Sequence, residues 1–188
     1  MYQICVSGAA RGDSVQEGKL LAAELGIAIA KAGHALMTGA TVGLPNYAAE
    51  AYKLAGGLMS VGISPAASKI EHVMKYRLPI LAYDTIIYTG LHYVGRDALL
   101  ITSSDAVVSL GGRLGTLHEF TIALETDTPI GFLQGAGGVS DQIQTLMSLA
   151  HPLRAGAMVT FNESAEELLK DLIDHLDIEH ARYRKLYQ

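Results

Sequence analysis

Residues 105–119 constrain the fold of this chain more than any other stretch, because an apolar run passes through glycines directly into a helical pattern. The apolar residues that end at Leu110 predict a buried strand of a parallel sheet. The glycines that follow allow a tight turn with exposed backbone N–H groups. Thr116 is expected to cap a helix that begins at Leu117. Because such helix starts attract phosphate or carboxylate groups, the sequence predicts an anion site at this turn.

Short apolar runs alternate with longer helical patterns along the chain, which predicts a three-layer, Rossmann-like α/β fold with a doubly wound parallel sheet. One domain is expected over residues 1–188, with a C-terminal helix over residues 164–187 that opens at a capping box. A second capping box, formed by Ser14 and Glu17, is expected to open the first helix, which Gly33 ends. The predicted strands are residues 3–7, 35–38, 58–63, 85–88, 106–110, 129–133 and 158–161.

The composition excludes several classes of protein. Hydrophobic residues make up 49% of the chain and charged residues 18%, which indicates a core-rich globular domain. The net charge of -5 gives no general attraction to nucleic acid, and the apolar runs are shorter than the ~18 residues of a membrane span, so neither partner is expected. The first strand leaves no room for a signal peptide. We therefore expect a cytoplasmic protein in which the single cysteine, Cys5, is a buried, inert thiol.

Neither a metal site nor a resident cofactor is predicted. The seven histidines are scattered, and no Cys/His cluster has zinc spacing. The first glycine turn lacks the Gly-x-Gly-x-x-Gly spacing of dinucleotide sites, and no acidic residue ends the second strand to hold a ribose. The absence of a Gly-x-x-x-x-Gly-Lys-Ser/Thr sequence and of a Gly-x-Ser-x-Gly elbow argues against a P-loop ATPase and against the usual serine hydrolase.

Three glycine-bearing turns follow predicted strand ends, after residues 7, 38 and 110. In a doubly wound sheet, the turns at the carboxyl ends of neighbouring strands converge on one crevice. Three turns with free N–H groups in a shared crevice predict a nucleotide site. The candidate ligand-binding and phosphate-binding residues are Gly8, Thr38, Gly39, Gly43, Gly111, Gly112, Arg113, Gly115 and Thr116.

The residues from Arg96 to Glu119 resemble the signature of the LONELY GUY (LOG), or lysine decarboxylase-like, proteins of the SLOG superfamily of Rossmann-fold nucleotide-binding proteins. That signature reads Arg-Lys, a helix, and then Pro-Gly-Gly-x-Gly-Thr-x-x-Glu, and the chain aligns with it without gaps. The turn at residues 38–45 also looks like the family's earlier glycine turn. The resemblance covers about the first three quarters of the chain.

The resemblance implies a homodimer that hydrolyses the N-glycosidic bond of nucleoside 5′-monophosphates, with Arg96 and Glu119 as the catalytic pair. A carboxylate such as Glu119 can stabilise an oxocarbenium-like state while it orients water. The chain departs from the signature where Gly111 replaces proline, Arg113 replaces the second glycine and Asp97 replaces lysine, so it looks like a sister branch. Other branches bind nucleotides, carry molybdenum cofactor or handle DNA, and a non-catalytic nucleotide sensor or cofactor carrier is the alternative.

Plainer interpretations are open for the same residues. Thr116-x-x-Glu119 is itself a capping box, so the role of Glu119 can be limited to satisfying a backbone N–H. Arg96 can belong to an exposed helical ion pair worth under about 1 kcal/mol. Tyr88, Tyr93 and His92 are interpreted equally as packing residues and as base-stacking groups.

The helix predicted over residues 90–103 carries apolar side chains around much of its circumference. One face of a sheet cannot cover all of them, which predicts a homodimer with this helix at its interface. The apolar residues concerned are Leu91, Tyr93, Val94, Leu99 and Leu100.

The segment over residues 64–84 joins two predicted strands through Pro65, Pro79 and a polar, basic middle. Connections of this length in compact domains are often lids or binding loops. A solvated connection without a function is the equal alternative.

Overall fold

The computed structural model describes residues 1–149, 158–183 and 186. Within them, seven parallel strands form one sheet in the order β4-β3-β2-β1-β5-β6-β7. The strands are β1 (Gln3–Gly8), β2 (Ala35–Thr38), β3 (Ser60–Ser64), β4 (Thr85–Tyr88), β5 (Ala106–Leu110), β6 (Ile130–Leu133) and β7 (Val159–Asn162). Every predicted strand is present, and the predicted doubly wound α/β fold is confirmed.

Helices cover both faces of the sheet and complete the three layers. They are α1 (Asp13–Glu17), α2 (Lys19–Lys31), α3 (Leu44–Leu54), α4 (His92–Thr102), α5 (Leu114–Glu125), α6 (Ile143–Leu149) and α7 (Ala165–His180). Ile4 and Val6 of β1 belong to the core under α2, α3 and α7, whereas Cys5 between them belongs to the core under α4, α5 and α6, because side chains alternate along a strand. Cys5 is fully buried, which raises the pKa of its thiol. No helix in the described ranges is long and apolar enough to cross a membrane.

Of the two predicted capping boxes, the structure contains the cap at Ser164 and lacks the cap at Ser14. Ser164 caps α7 as expected, since its side chain accepts a hydrogen bond of 3.3 Å from the Glu167 N–H. The helix ends at His180, earlier than the predicted residue 187, and residues 181–183 form turns. The box predicted at Ser14 is wrong, because α1 already begins at residue 13 after Gly12, without a side-chain cap.

A long, tethered connection joins β3 to β4. It contains a π-helical turn, Glu71–Lys75, in which His72 is fully buried. The His72 ring lies 2.8 Å from the Ser64 hydroxyl through Nδ1 and 3.0 Å from the Pro79 carbonyl oxygen through Nε2. These contacts attach the connection to the end of β3. The segment is therefore more than a solvated connection.

The strand order reverses between β1 and β5, and this reversal positions the site. The chain moves outward from β1 to β4 on one side of the sheet, then returns to β5 and moves outward to β7 on the other. The register pairs Gly8 with Leu110, so both strands end at the same level. In open α/β sheets, ligands bind in the crevice outside the carboxyl ends of the strands at such a reversal.

Candidate functional site

A cavity of about 330 Å³ opens at the carboxyl ends of β1 and β5. All three predicted turns and helix α4 contribute to its walls. Eight of the eleven residues singled out from the sequence line it together, and three do not. The eight are Gly8, Gly39, Arg96, Gly112, Arg113, Gly115, Thr116 and Glu119.

Thr38, Gly43 and Gly111 lie behind the cavity wall. Thr38 is fully buried at the end of β2. Gly43 precedes α3 with a φ of +85°, and a Cβ there would lie 2.6 Å from the Cα of Ala10, so this glycine lets two loops approach each other. The Gly111 carbonyl accepts a hydrogen bond of 2.7 Å from the Ser140 hydroxyl. In this structure the three residues shape the turns and do not border the cavity.

Helix α5 begins at Leu114, three residues before the predicted start, and this changes the position of Thr116. Thr116 lies in the first turn of the helix, so its predicted role as the N-cap is wrong. Gly112 folds back onto it with a φ of +91°, and a Cβ at Gly112 would lie 2.6 Å from the Thr116 Cβ. The backbone N–H groups of the first turn have no partner inside the helix, and Gly115 and Thr116 line the cavity there.

Glu119 reaches across the site from α5 to β1. Its side chain is buried, and its carboxylate accepts a hydrogen bond from the Ser7 hydroxyl. Arg96 Nη1 lies 3.9 Å from Glu119 Oε1. The capping-box interpretation is therefore wrong, because Thr116 is inside the helix and the Glu119 carboxylate is engaged at the end of β1.

Arg96 lines the cavity and is only 4% exposed, so the surface ion-pair interpretation is wrong. Its guanidinium packs on Gly39, where a Cβ would lie 2.6 Å from Arg96 Cζ. Arg96 Nη1 is 3.5 Å from Asp97 Oδ1, an ion-pair separation longer than a good hydrogen bond. Arg96 Nε is buried without a hydrogen-bond partner among the described residues. A buried donor of this kind is costly unless a ligand or water satisfies it.

Two buried carboxyl groups surround this arginine and influence each other. Burial, and then the charge of Asp97, raise the pKa of Glu119 to about 7, while the Ser7 hydrogen bond, Arg96 and His118 act in the opposite direction. Burial also raises the pKa of Asp97, whose Oδ2 lies 3.0 Å from His118 Nδ1. A carboxyl group with a pKa near neutrality can accept or donate a proton at physiological pH.

Sequence reasoning missed several residues of the cavity. Ser7 is the most informative, because its hydroxyl binds the Glu119 carboxylate. A polar residue at the carboxyl end of a central buried strand was the signal that could have identified it. Arg11 and Thr41 also line the cavity, and they follow the ends of β1 and β2 in sequence. Tyr93, for which the sequence left packing and base stacking open, lines the cavity as well.

Charge is distributed unevenly in the cavity. Arg11, Arg113 and the N-terminal turn of α5 bring positive charge or free N–H groups to the lining. Glu119 and Asp97 bring buried acids next to Arg96. A ligand with an anionic end and an uncharged polar middle suits this division, because an anion placed on the acids would be repelled.

The doubly wound sheet with its crevice at β1 and β5 defines a Rossmann-like nucleotide-binding fold. The sequence matches the SLOG cluster4 family over residues 1–169, and the chain belongs to this family. An uncharacterized protein of Archaeoglobus fulgidus is 31% identical over 134 residues, which are 71% of this chain and 81% of that protein. The membership expected from the glycine and arginine motifs is thereby confirmed.

Solved structures resemble this chain over nearly its whole length. TM1055 superposes with a TM-score of 0.80 and 25% identity, covering 93% of this chain and 99% of that one. The molybdenum cofactor binding protein of the phototrophic bacterium Rippkaea orientalis superposes with a TM-score of 0.69 and 29% identity, covering 92% of this chain and 97% of that one. Both likenesses support the Rossmann-like fold.

Proposed function

We propose that the protein hydrolyses the N-glycosidic bond of nucleoside 5′-monophosphates and releases a free base and ribose 5-phosphate. The observation that carries this proposal is the buried Glu119 carboxyl group, which borders the cavity, binds Ser7 and has a pKa of about 7. A site that only carries an anion gains nothing from two buried acids beside Arg96. A site that cleaves a ribosyl bond needs such a carboxyl group.

The distribution of charge orients the nucleotide. Its dianionic phosphate is best accommodated at Arg113 and the N–H groups of Gly115 and Thr116, because a helix start stabilises an anion. The uncharged ribose then lies over Glu119 and Arg96. This arrangement keeps the phosphate away from the buried carboxylates and brings the glycosidic bond to them.

In the reaction, the ionised Glu119 accepts a proton from a water molecule as that water adds to the anomeric carbon. The bond from this carbon to the base nitrogen breaks, and the base leaves with the proton that Glu119 took from water, which restores the carboxylate. The negative charge of Glu119 stabilises the positive charge that develops on the ribose in the transition state. Arg96, at 3.9 Å, positions the carboxylate and favours its ionised form.

Chromatographic detection of free base tests this proposal. Wild-type protein incubated with a panel of nucleoside monophosphates should release base, and Glu119→Gln should lose this activity while it keeps nucleotide affinity, because the amide preserves shape without charge. Glu24→Gln, at an exposed position of α2, is the matched control and should retain full activity. A Glu119→Gln variant with unchanged turnover would refute the catalytic role.

A carrier of molybdenum cofactor or another phosphorylated ligand is the second candidate. It is favoured by the 29% identity to the Rippkaea orientalis protein and by Arg113, which adds a guanidinium where the LOG signature has glycine. A phosphate on such a ligand fits the same turn. Calorimetric binding of nucleoside monophosphates without release of base would favour this candidate over hydrolysis.

We also propose that the protein is a homodimer with one face of α4 at the interface. Val94 and Leu99 of this helix and Leu91 directly before it are exposed, and Val94 is 70% exposed. Of the residues predicted from the sequence, Leu100 is buried in the core and so is excluded from this face, and Tyr93 also lines the cavity. Light scattering should give the mass of a dimer, and Val94→Lys should give a folded monomer. A monomeric wild type at micromolar concentration would contradict the dimer.

A further inference from the structure

One aromatic side chain of the cavity has no role in the chemistry described above. Tyr93 is the second residue of α4 and precedes Arg96 by three residues, so both lie on the same side of the helix. Tyr93 lines the cavity together with Arg96 and Glu119, yet it is 46% exposed. A large aromatic ring that borders a cavity and stays half exposed is available to a ligand.

The ring of Tyr93 is held by a neighbour that leaves a face open. Tyr76 contacts it with ring centroids 5.6 Å apart and planes inclined by 76°. In a perpendicular contact of this kind, one ring presents its edge to the other. Whichever ring presents its edge, at least one face of Tyr93 is not covered by Tyr76. Tyr76 is itself fixed, because its hydroxyl lies 2.6 Å from His92 Nδ1.

The backbone around this aromatic pair is strained on both sides. His92 has a φ of +57°, and so does Arg77, which follows Tyr76. Left-handed backbone costs free energy in residues other than glycine, and it persists where the surrounding structure requires it. The π-helical turn Glu71–Lys75 ends directly before Tyr76, and such turns are frequent at functional sites. These features position Tyr76 and Tyr93 against each other.

We propose that Tyr93 is the stacking platform for the base of the nucleotide. This inference rests on the proposed nucleotide site. Bases stack on aromatic rings through their faces. With the phosphate at the start of α5 and the ribose over Glu119, the base is the part of the ligand left to contact Tyr93.

Calorimetry on the Glu119→Gln protein, which keeps the nucleotide intact, tests the platform. The added substitutions are Tyr93→Leu, which removes the aromatic face, and Tyr93→Phe, which keeps it. Tyr93→Leu should weaken AMP binding about 5- to 100-fold, whereas Tyr93→Phe should stay within about threefold. Ribose 5-phosphate has no base, so its affinity should change less than about twofold. Tyr183→Leu, at a tyrosine 51% exposed beyond α7, is the matched control.

A comparison of ligands separates stacking from a structural effect. Equal loss of AMP and ribose 5-phosphate affinity, or unchanged AMP affinity, would overturn the platform. If wild type releases no base but Tyr93→Leu still loses AMP selectively, hydrolysis fails and the base subsite stands. If wild type releases base and Tyr93→Leu keeps AMP affinity, the base subsite alone fails.

Discussion

Glu119 should make the protein less stable as pH rises, and its replacement by glutamine should remove this effect. The ordinary pKa of this carboxyl group is 4.5, and burial raises it to about 7 in the folded chain. Below pH 4.5 the group is protonated in both the folded and the unfolded chain, so it does not lower the free energy of unfolding. Between pH 4.5 and about 7 the folded chain retains a proton that the unfolded chain has released, so the free energy of unfolding falls.

The size of the effect follows from the two pKa values. The difference between 4.5 and about 7 corresponds to about 3 kcal/mol at pH 8, because each pKa unit is worth about 1.4 kcal/mol. At pH 5 the same calculation leaves under about 1 kcal/mol. Glu119→Gln should therefore stabilise the protein by about 3 kcal/mol at pH 8, or roughly 6–12 °C in melting temperature for a domain of this size.

Urea unfolding of wild type and Glu119→Gln, followed by circular dichroism at pH 5 and pH 8, measures this difference. Asp97, whose pKa is also raised, is present in both proteins, so the comparison reports mainly on Glu119. A variant that is less stable than wild type at pH 8 would refute the reasoning. That result would mean that pairing with Arg96 and Ser7 more than offsets the cost of burying the charge.

Three further substitutions test separate parts of the site. In Gly39→Ala the added Cβ would lie 2.6 Å from Arg96 Cζ. Urea titration should therefore show a loss of about 1–3 kcal/mol, and calorimetry a nucleotide affinity lower by about tenfold or more. In Gly115→Ala nothing lies within 4 Å of the added Cβ, so urea titration should show a gain of about 0.5–1 kcal/mol. A loss there would contradict the start assigned to α5. Asp97→Asn removes a charge that raises the pKa of Glu119, so the acidic limb of the pH–rate profile should move to lower pH; an upward move would contradict this coupling.

The sheet could be predicted from the sequence because apolar runs and glycine turns are local signals. The strand ending at Leu110 and its glycine turn were located correctly. Reversal of the strand order next to β1 follows from the general rule for doubly wound sheets, so the crevice could be predicted as well. The prediction that Gly8, Gly39 and Gly112 border a common cavity is correct for this reason.

Features that depend on long-range contacts could not be predicted. The hydrogen bond between Ser7 and Glu119 joins residues 112 positions apart, and no local pattern indicates it. The predicted start of α5 is too late because Thr116 and Glu119 have the spacing of a capping box. In the structure, Arg113 directly precedes the helix. The contact between Tyr76 and Tyr93 depends on how the connection after β3 folds back, which sequence periodicity does not encode.

A crystal structure of Glu119→Gln with AMP would test the central claim most directly. It should show the phosphate within hydrogen-bonding distance of the backbone N–H groups of Gly115 and Thr116, and the anomeric carbon of the ribose next to the residue 119 side chain. A phosphate bound elsewhere, or a ribose turned away from residue 119, would contradict the claim that this crevice cleaves nucleotides.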